Sequence, residues 1–454
     1  MMARPRKNAA ASRASLLPES APLPEIPVRE QPYPLPEGWK WVRLGDVTQI
    51  ASGGTPSSKT KEFYDNGNIP WLSPADLSNY TAVYISHGKK MLTPLGLKNS
   101  SARLLPSNTV CLSSRAPIGY VVIAQNPLCT NQGFKNFLPS HLYTPRFLYW
   151  YLKGSKPLLE SYASGTTFLE LSATKVARIP FPLPPREEQE RIVGHIESLF
   201  ARLDEARQKA EAVRDSVALR RAAILHKAFT GELTAKWREE QGVECWPLTT
   251  LHKVSSLITK GASPKWQGIS YVEDETQTLF VTSENVREGY LKFENKKFVE
   301  DSINIKQKRS CLKYGDILIN IVGASIGRAA VYQEKYKANI NQAVCLVRLY
   351  ENISSSYVCY YLNSPAALTY YFENKAETAR ANLSLTDINN ITLPLPTLPE
   401  QREIVRILDD LLGREQRIRE AADAVVAHIE RMKKAILARA FRGELGRADC
   451  PSRP

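Results

Sequence analysis

The feature that most constrains this sequence is a long internal repeat. The string PLPPREEQERIV (182–193) recurs as PLPTLPEQREIV (394–405), and KAFTGEL (227–233) recurs as RAFRGEL (439–445). Gln189 corresponds to Gln401 and Phe229 to Phe441, an offset of 212 in both pairs, so the stretch between the two strings has the same length in each half. A repeat of this size indicates one architecture that is used twice.

Earlier in each half the correspondence is looser. GWKWVRLGDV (38–47) corresponds to CWPLTTLHKV (245–254), GGTP (53–56) to GASP (261–264), and TNQGF (130–134) to INQAV (340–344), with offsets that drift from 207 to 210. Each half therefore contains a variable globular domain followed by a segment of constant length.

The constant segment carries the pattern of a long helix. Apolar or small residues recur at heptad spacing, interrupted once at Arg220 in the first copy and once at Glu415 in the second. The first seam consists of Ile192, Ile196, Leu199, Leu203, Ala206, Ala210, Val213, Val217 and Ile224, and the second of Ile404, Leu408, Leu411, Ile418, Ala422, Val425, Ile429, Met432 and Ile436. A helix with one narrow apolar stripe needs a partner helix, and the repeat supplies one. We expect antiparallel packing; two separate coiled coils for oligomerisation remain the alternative.

The end signals agree with this interpretation. Pro185 and Pro399 suit a first helical turn, and Gly231 and Gly443 suit left-handed C-caps. The variable domains instead contain short β-branched segments such as NTVCLSS, YVVIAQ, DILINIV and AVCLVRLY, with short helices expected at 145–153 and 356–363. The predicted fold class is α/β (α+β), with two mixed domains alternating with two long antiparallel helices in a pseudo-twofold repeat. The predicted segments are a disordered basic tail (1–36), a first domain (37–180), a first helix (181–236), a second domain (237–392), a second helix (393–447) and a tail (448–454).

Composition points to a polyanionic partner. The chain of 454 residues has a formal net charge of +14 and a pI near 9.3. Nucleic acid is the first candidate, an acidic membrane surface the second, and a merely basic soluble surface the plain alternative. No apolar run approaches the roughly 20 residues that a membrane span needs. Seven cysteines without a CxxC pair, and six scattered histidines, favour a reduced cytoplasmic protein without a metal site.

Catalytic signatures are missing from the sequence. There is no GxxxxGK[ST] phosphate loop, no GxGxxG turn and no Asn-Pro-Pro or Asp-Pro-Pro followed by an aromatic residue. We therefore expect a non-catalytic chain that binds no cofactor itself.

The candidate DNA-binding residues are glycines, hydroxyl residues and cations. Two corresponding loops combine glycine with Lys, Ser and Thr donors that suit a phosphate backbone. They contribute Gly53, Gly54, Thr55, Ser57, Lys59 and Lys61 in the first domain, and Lys260, Gly261, Ser263, Lys265 and Gln267 in the second. Arg115 and Arg287 could each contact a guanine edge, and the lysine-rich stretch 292–313, with Lys296 and Lys297, is a possible phosphate track. A structural turn or a solvated face is the alternative for each.

The paired P-L-P-x(2–3)-[EP]-E-Q-x-x-I-V strings, the paired A-F-x-G-E-L ends, and GGTPS followed by IPWLSPADL resemble the specificity subunits of type I restriction-modification enzymes. The resemblance covers about residues 37–447. It implies two target-recognition domains that each read one half of a split double-stranded DNA site, and two helices that set the gap. It also implies two modification subunits, which bring S-adenosylmethionine and methylate adenine, and restriction subunits that use ATP and magnesium.

A coiled-coil scaffold without sequence-specific DNA binding stays open as the alternative function. A steep loss of DNA affinity with salt would separate the two, because phosphate contacts release counterions.

Overall fold

The computed structural model describes residues 23–115, 117–165, 169–243, 246–374 and 382–445. The chain divides into two compact units, Met1–Gln208 with Val426–Pro454 (unit 1) and Lys209–Val425 (unit 2). Each unit thus holds one variable domain and parts of both long helices. Residues 1–22 and 448–454, which were predicted as tails, lie outside the described residues.

The first variable domain is a mixed α/β domain with three small sheets. Their strand orders are β2-β9-β6-β7-β4, β5-β3-β8 and β1-β10. The strands are β1 (Lys40–Arg43), β2 (Ile50–Ser52), β3 (Ile69–Leu72), β4 (Tyr84–Ile85), β5 (Lys90–Leu92), β6 (Val110–Ser114), β7 (Ile118–Ala124), β8 (Cys129–Thr130), β9 (Phe134–Phe137) and β10 (Pro180–Leu183). The helices are α1 (Leu44–Val47), α2 (Pro94–Lys98), α3 (Pro145–Gly154), α4 (Lys156–Tyr162) and α5 (Ala173–Ala177), followed by the first long helix, α6 (Arg186–Phe229).

The second variable domain has a related topology, in which one sheet has four strands in place of five and another has four in place of three. Its sheets have the orders β12-β19-β16-β17, β13-β15-β14-β18 and β11-β20. The strands are β11 (Leu248–Thr250), β12 (Ser255–Lys260), β13 (Tyr271–Val272), β14 (Thr278–Val281), β15 (Phe298–Val299), β16 (Ile317–Asn320), β17 (Ala329–Val331), β18 (Ala338–Ile340), β19 (Val344–Leu349) and β20 (Thr392–Pro394). The helices are α7 (Ala235–Gln241), α8 (Ile303–Lys306), α9 (Ser355–Leu362), α10 (Pro365–Asn374) and α11 (Leu385–Asn389), followed by the second long helix, α12 (Leu398–Phe441).

The four strands and the two short helices that the sequence predicted are therefore confirmed, as is the mixed α/β class. The predicted helical segments 181–236 and 393–447 were too long at both ends, since α6 and α12 each contain 44 residues. Gly231 (φ +84°) and Gly443 (φ +72°) stand in the left-handed conformation just after the two helices, as predicted. Residues 230–236 do not continue α6; they form a short 3-10 turn, Glu232–Thr234, and the start of α7.

The repeated glutamine of the EQxxIV string joins each long helix to its domain. Gln189 is fully buried; its Oε1 accepts a hydrogen bond from the backbone N–H of Thr144 (2.8 Å), and its Nε2 donates to the carbonyl of Leu142 (3.0 Å). Gln401 repeats this in unit 2, accepting from the N–H of Ser354 at 2.9 Å. Thr144 and Ser354 are the N-caps of α3 and α9. The string recurs because each long helix is attached to its domain by the same buried hydrogen bonds.

The long helices run antiparallel within each unit. In unit 1, Ile192 and Ile196 share a core with Leu437, and Arg207 pairs with Glu430 at 2.9 Å. In unit 2, Leu225 shares a core with Leu408 and Leu412. In both units, residues later in α6 contact residues earlier in α12.

Part of the predicted seam was wrong. Val213, Ile418, Val425 and Met432 are 38–45% exposed, and Ala206 is exposed. In unit 2 the buried line on α12 instead passes through Leu408, Glu415 and Ala422. The two predicted interruptions are partners: Arg220 Nε lies 2.8 Å from Glu415 Oε2. From 415 to 429 only one residue per heptad is buried, so the stripe is narrower than the predicted one, and the charged Glu415 belongs to it.

The predicted disordered tail was also wrong for residues 23–36. Ile26 is buried, and its N–H donates to the carbonyl of Trp41 at 2.9 Å. The hydroxyl of Tyr33 donates to the carbonyl of Phe441 at 3.1 Å, and Pro36 packs against Gly443. The last two contacts join positions more than 400 residues apart, and such contacts cannot be inferred from local composition.

Candidate nucleic-acid interface

In unit 1, four loops meet at one edge of the paired sheets. Strands β2 and β6 both pair antiparallel with β9, so the ends of β2 and β6 and the start of β9 share that edge. Strands β3 and β8 run parallel and end beside it. This recognition edge carries the loops 53–61, 73–77 and 131–133 and the loop that begins at Arg115 after β6, so Arg115 lies at the same edge as the predicted loop 52–61.

Unit 2 builds the corresponding recognition edge. Strands β12 and β16 pair antiparallel with β19, and β14 runs parallel to β18. The loops 261–268, 282–291, 321–328 and 341–343 follow from that register. Arg287 therefore lies at the same edge as Gly261, as Arg115 does with Gly53 in unit 1.

Close contacts within the protein itself explain why the predicted loops contain glycine. A Cβ on Gly53 would lie 1.9 Å from the carbonyl oxygen of Asn131, and one on Gly261 would lie 1.8 Å from that of Ile340. A Cβ on Gly54 would lie 2.2 Å from the backbone nitrogen of Ala102. The close approach that glycine permits here is to the protein's own backbone. These contacts give the glycines a structural role within the domain, and the phosphate contact proposed for them and for the neighbouring donors stays a prediction.

The other residues of the two loops are accessible. Ser57, Lys59 and Lys61 are exposed in the first loop, and the hydroxyl of Thr55 bonds to Gln132 Oε1. In the second loop Lys260 and Lys265 are exposed, while Ser263 and Gln267 are half-buried.

Sequence reasoning missed a pair of glutamines. In TNQGF and INQAV the asparagine closes a tight turn, with Asn131 Oδ1 accepting from Gly133 N–H at 2.9 Å and Asn341 Oδ1 accepting from Ala343 N–H at 3.1 Å. The turn exposes Gln132 in unit 1 and Gln342 in unit 2 at the tip of each edge. The recurrence of NQ was the available signal, because it placed an identical polar side chain in two otherwise divergent domains.

Arg115 stands above a buried lysine. Lys135 is 5% exposed, and its Nζ donates to Ser114 Oγ at 3.2 Å. Burial lowers the pKa of Lys135; nearby Glu170 opposes this shift, and Arg115 adds to it. Arg115, which is half-buried, therefore lies close enough to Lys135 for their charges to interact.

The predicted phosphate track in unit 2 divides into two groups. Lys297 is paired with Glu284 at 3.2 Å, and Lys296 donates to the hydroxyl of Tyr336 at 2.7 Å while lying over its ring. Lys292 is likewise paired with Glu294 at 2.8 Å. These lysines are engaged within the domain.

A second group of cations makes no ion pair within the described part of the chain. It consists of Lys260, Lys265, Lys306, Lys308 and Arg309, all exposed. Lys306 Nζ donates to the carbonyl of Gln267 at 2.5 Å, and Gln307 Oε1 accepts from the N–H of Ala262 at 2.9 Å. These bonds join the segment 303–309 to the loop 261–268. The loop also carries Trp266, which is 82% exposed. The result is a basic surface with an exposed aromatic ring, which suits a nucleic acid.

Within the described residues, no group of three or more His, Cys, Asp or Glu side chains is placed to hold a metal ion. Across the same residues, no helix is both long and apolar enough to span a membrane.

Comparisons with known proteins agree with this arrangement. The family model for the type I restriction modification DNA specificity domain matches residues 36–213 and 267–423. The chain is 39% identical over 187 residues to the type I restriction enzyme MjaIX specificity subunit of Methanocaldococcus jannaschii, covering 41% of this chain and 43% of that protein. It is 25% identical over 432 residues to the EcoKI specificity subunit of Escherichia coli (strain K12), covering 90% of each.

Two solved structures share the fold. One is a chain from a study of complex assembly and conformational transition of the type I R-M system, with a TM-score of 0.72, 22% identity, and coverage of 91% of this chain and 100% of that one. The other is the HsdS subunit from Thermoanaerobacter tengcongensis, with a TM-score of 0.56, 22% identity, and coverage of 92% and 100%. Together with the two matched segments, the repeated recognition edges show that the chain belongs to the type I restriction-modification DNA specificity family.

Proposed function

We propose that this chain is the DNA-reading subunit of a type I restriction-modification complex and that it reads a split site, one half with each variable domain. The observation that carries the proposal is the duplicated recognition edge, with the same register of strands, the same NQ turn and exposed cations in both units. A scaffold protein would not need two such edges. The family match also favours DNA reading over that alternative.

In this proposal the two edges face the major groove. Gln132 and Gln342 each offer an amide donor and a carbonyl acceptor, which matches the adenine edge. Arg115 suits guanine, while Arg287 and the lysines Lys59, Lys61, Lys260 and Lys265 neutralise phosphates. The two long helices set the gap between the two half-sites.

The chemistry is assigned to partner subunits in the cytoplasm. Two modification subunits bring S-adenosylmethionine and methylate adenine, and restriction subunits bring ATP and magnesium. This chain determines which DNA site the complex recognises, and its repeated helices offer the same docking surface to two copies of one partner.

The test is methyl transfer with labelled S-adenosylmethionine, followed by methylome sequencing. The chain alone should transfer no methyl groups, and adding a cognate modification subunit should give methylation at one split site. In the same assay, Gln342→Ala should lower the preference for the correct base in one half-site by about 5- to 150-fold, since a bidentate base contact contributes ~1–3 kcal/mol. Gln132→Ala should affect only the other half-site.

DNA binding should also weaken steeply with salt. Six or more phosphate contacts imply a fall of about 10³ in affinity between 50 and 200 mM salt. Methyl transfer by the chain alone, or a salt-insensitive affinity without sequence preference, would contradict the proposal and favour an enzyme or a scaffold, respectively.

A further inference from the structure

An open cavity of about 920 Å³ lies within unit 2, where both long helices meet the recognition edge. Four arginines from four separate segments line it. Arg221 comes from α6, Arg287 from the loop after β14, Arg328 from the loop before β17 and Arg419 from α12. We infer that this arginine cavity binds the phosphate backbone of DNA beside the half-site that the second domain reads. The inference rests on the proposed function and extends it, because it gives the long helices a DNA contact of their own.

The charges around the cavity are unbalanced. Of its two carboxylates, Glu288 pairs with Arg221 at 3.4 Å, and Asp423 pairs with Arg214 at 3.9 Å. The side chains of Arg287, Arg328 and Arg419 make no ion pair within the described part of the chain. Three guanidinium groups thus face one open space whose two carboxylates are already paired with Arg221 and Arg214. Such an arrangement is unfavourable unless an anion or solvent ions occupy it.

The type and placement of these groups favour a backbone phosphate. Guanidinium groups contact phosphate oxygens in a bidentate manner, and they carry a full charge at any physiological pH. Arg328 and Arg419 are exposed, so a large polyanion can reach them. Arg287 and Arg328 sit on two loops of the recognition edge itself. DNA that contacts that edge can therefore reach the cavity.

The pair between Arg221 and Glu288 has a positioning role in this arrangement. It joins α6 to the loop 282–291, which carries Arg287 and the half-exposed Tyr290. A smaller cavity of about 500 Å³ adjoins this pair and is also lined by Arg214 and Arg419. The basic surface therefore continues along the two helices beyond the loops of the domain.

A free nucleotide is a less suitable occupant. The sequence has no glycine-rich phosphate loop, and the cavity is not closed around a base-sized apolar slot. An acidic protein surface would satisfy the same arginines, but it would not explain why the cavity opens at the recognition edge. Both alternatives are kept as outcomes of the test.

The experiment measures DNA affinity of the full chain, with its modification subunit, as a function of salt. Target and non-target duplexes are compared for the wild type, Arg419→Gln and Arg328→Gln. Each variant should weaken binding to both duplexes by the same factor, and the slope of log affinity against log salt should become less steep by about 0.9. Arg328→Lys should restore most of the slope because it keeps the charge. Arg417→Gln, an exposed change on α12 outside the cavity, is the matched control and should leave the slope unchanged.

Four outcomes decide the matter. Unchanged affinity and slope in both cavity variants, with normal wild-type binding, would overturn the inference and leave the proposed function intact. A loss confined to the target duplex would mean base reading instead of a phosphate contact, and would also overturn it. Loss of ATP binding in a calorimetric titration, with an unchanged DNA slope, would assign the cavity to a free nucleotide. Loss of modification-subunit binding, with an unchanged DNA slope, would assign it to a protein surface.

Discussion

At the scale of single residues, the glycines show how one pattern permits two explanations. Glycine admits a close neighbour, but the sequence does not say which neighbour. At Gly53 the neighbour is the carbonyl of Asn131 in the turn between β8 and β9, and at Gly261 it is the carbonyl of Ile340 at the end of β18. The two glycines therefore join one sheet to the next and fix the position of the loops that carry the candidate DNA contacts.

We expect Gly261→Ala to destabilise unit 2. The added Cβ would overlap the Ile340 carbonyl, and relieving that overlap should cost about 1–3 kcal/mol or more. Gly194→Ala is the matched control, because Gly194 lies on α6 with no heavy atom within 4 Å of the added Cβ, and alanine favours a helix by ~0.5–1 kcal/mol. Denaturant unfolding should show a lower midpoint for the first variant and an equal or higher midpoint for the second. Equal midpoints for Gly261→Ala and the wild type would show that the loop can move aside.

At the scale of elements, α6 and α12 are amphipathic helices whose seam includes charge. Glu415 is only 8% exposed, and its partner Arg220 also bonds to Ser216 Oγ. A charged pair at a seam favours one register, because a shift of the helices would leave the carboxylate buried without a cation. We interpret the pair as the element that fixes the alignment of the two helices in unit 2. Unit 1 has no equivalent: positions 203 and 432, which correspond to 415 and 220, are Leu and Met.

A double-mutant cycle tests this interpretation. Arg220→Met alone should destabilise unit 2 by about 1–3 kcal/mol, less than a fully buried pair would lose, because the Arg220 side chain is 39% exposed. Adding Glu415→Leu should recover most of that loss, since an apolar pair then fills the seam. The exposed pair Arg414–Asp410 provides the control, and Arg414→Met should cost only about 0.5 kcal/mol. Additive effects of the two seam changes would mean that the pair does not interact.

At the scale of the whole molecule, each unit is completed by the end of a long helix. In unit 1, Phe441 packs edge to face against Phe147 and Tyr151, with ring centroids 5.2 Å apart in both contacts. In unit 2, Phe229 packs in the same way against Tyr357 and Tyr361. The end of α12 thus enters the first domain and the end of α6 enters the second. The repeated AFxGEL string supplies this joint.

A domain exchange follows from this organisation. Residues 37–183 include both strands of the β1-β10 pair, so replacing them with the equivalent domain of a relative should change one half of the recognised site and leave the other half and the gap unaltered. The donor domain needs aromatic residues at the positions of Phe147 and Tyr151 to accept Phe441. Methylome sequencing of cells that carry the chimera provides the measurement. A change in both halves would show that the domains do not read independently.

The sequence by itself determined the elements and their duplication. Helical length, capping glycines, β-branched strands and the twofold repeat depend on local spacing, and local spacing is preserved in the linear order of residues. Family membership followed from the same strings. What only the tertiary structure decided is which residues meet: that Arg220 pairs with Glu415, that residues 23–36 pack against the end of α12, that Gly53 faces a carbonyl, and that arginines from four segments line one cavity. Those contacts join positions far apart in the chain, and their free energies depend on geometry that no single segment contains.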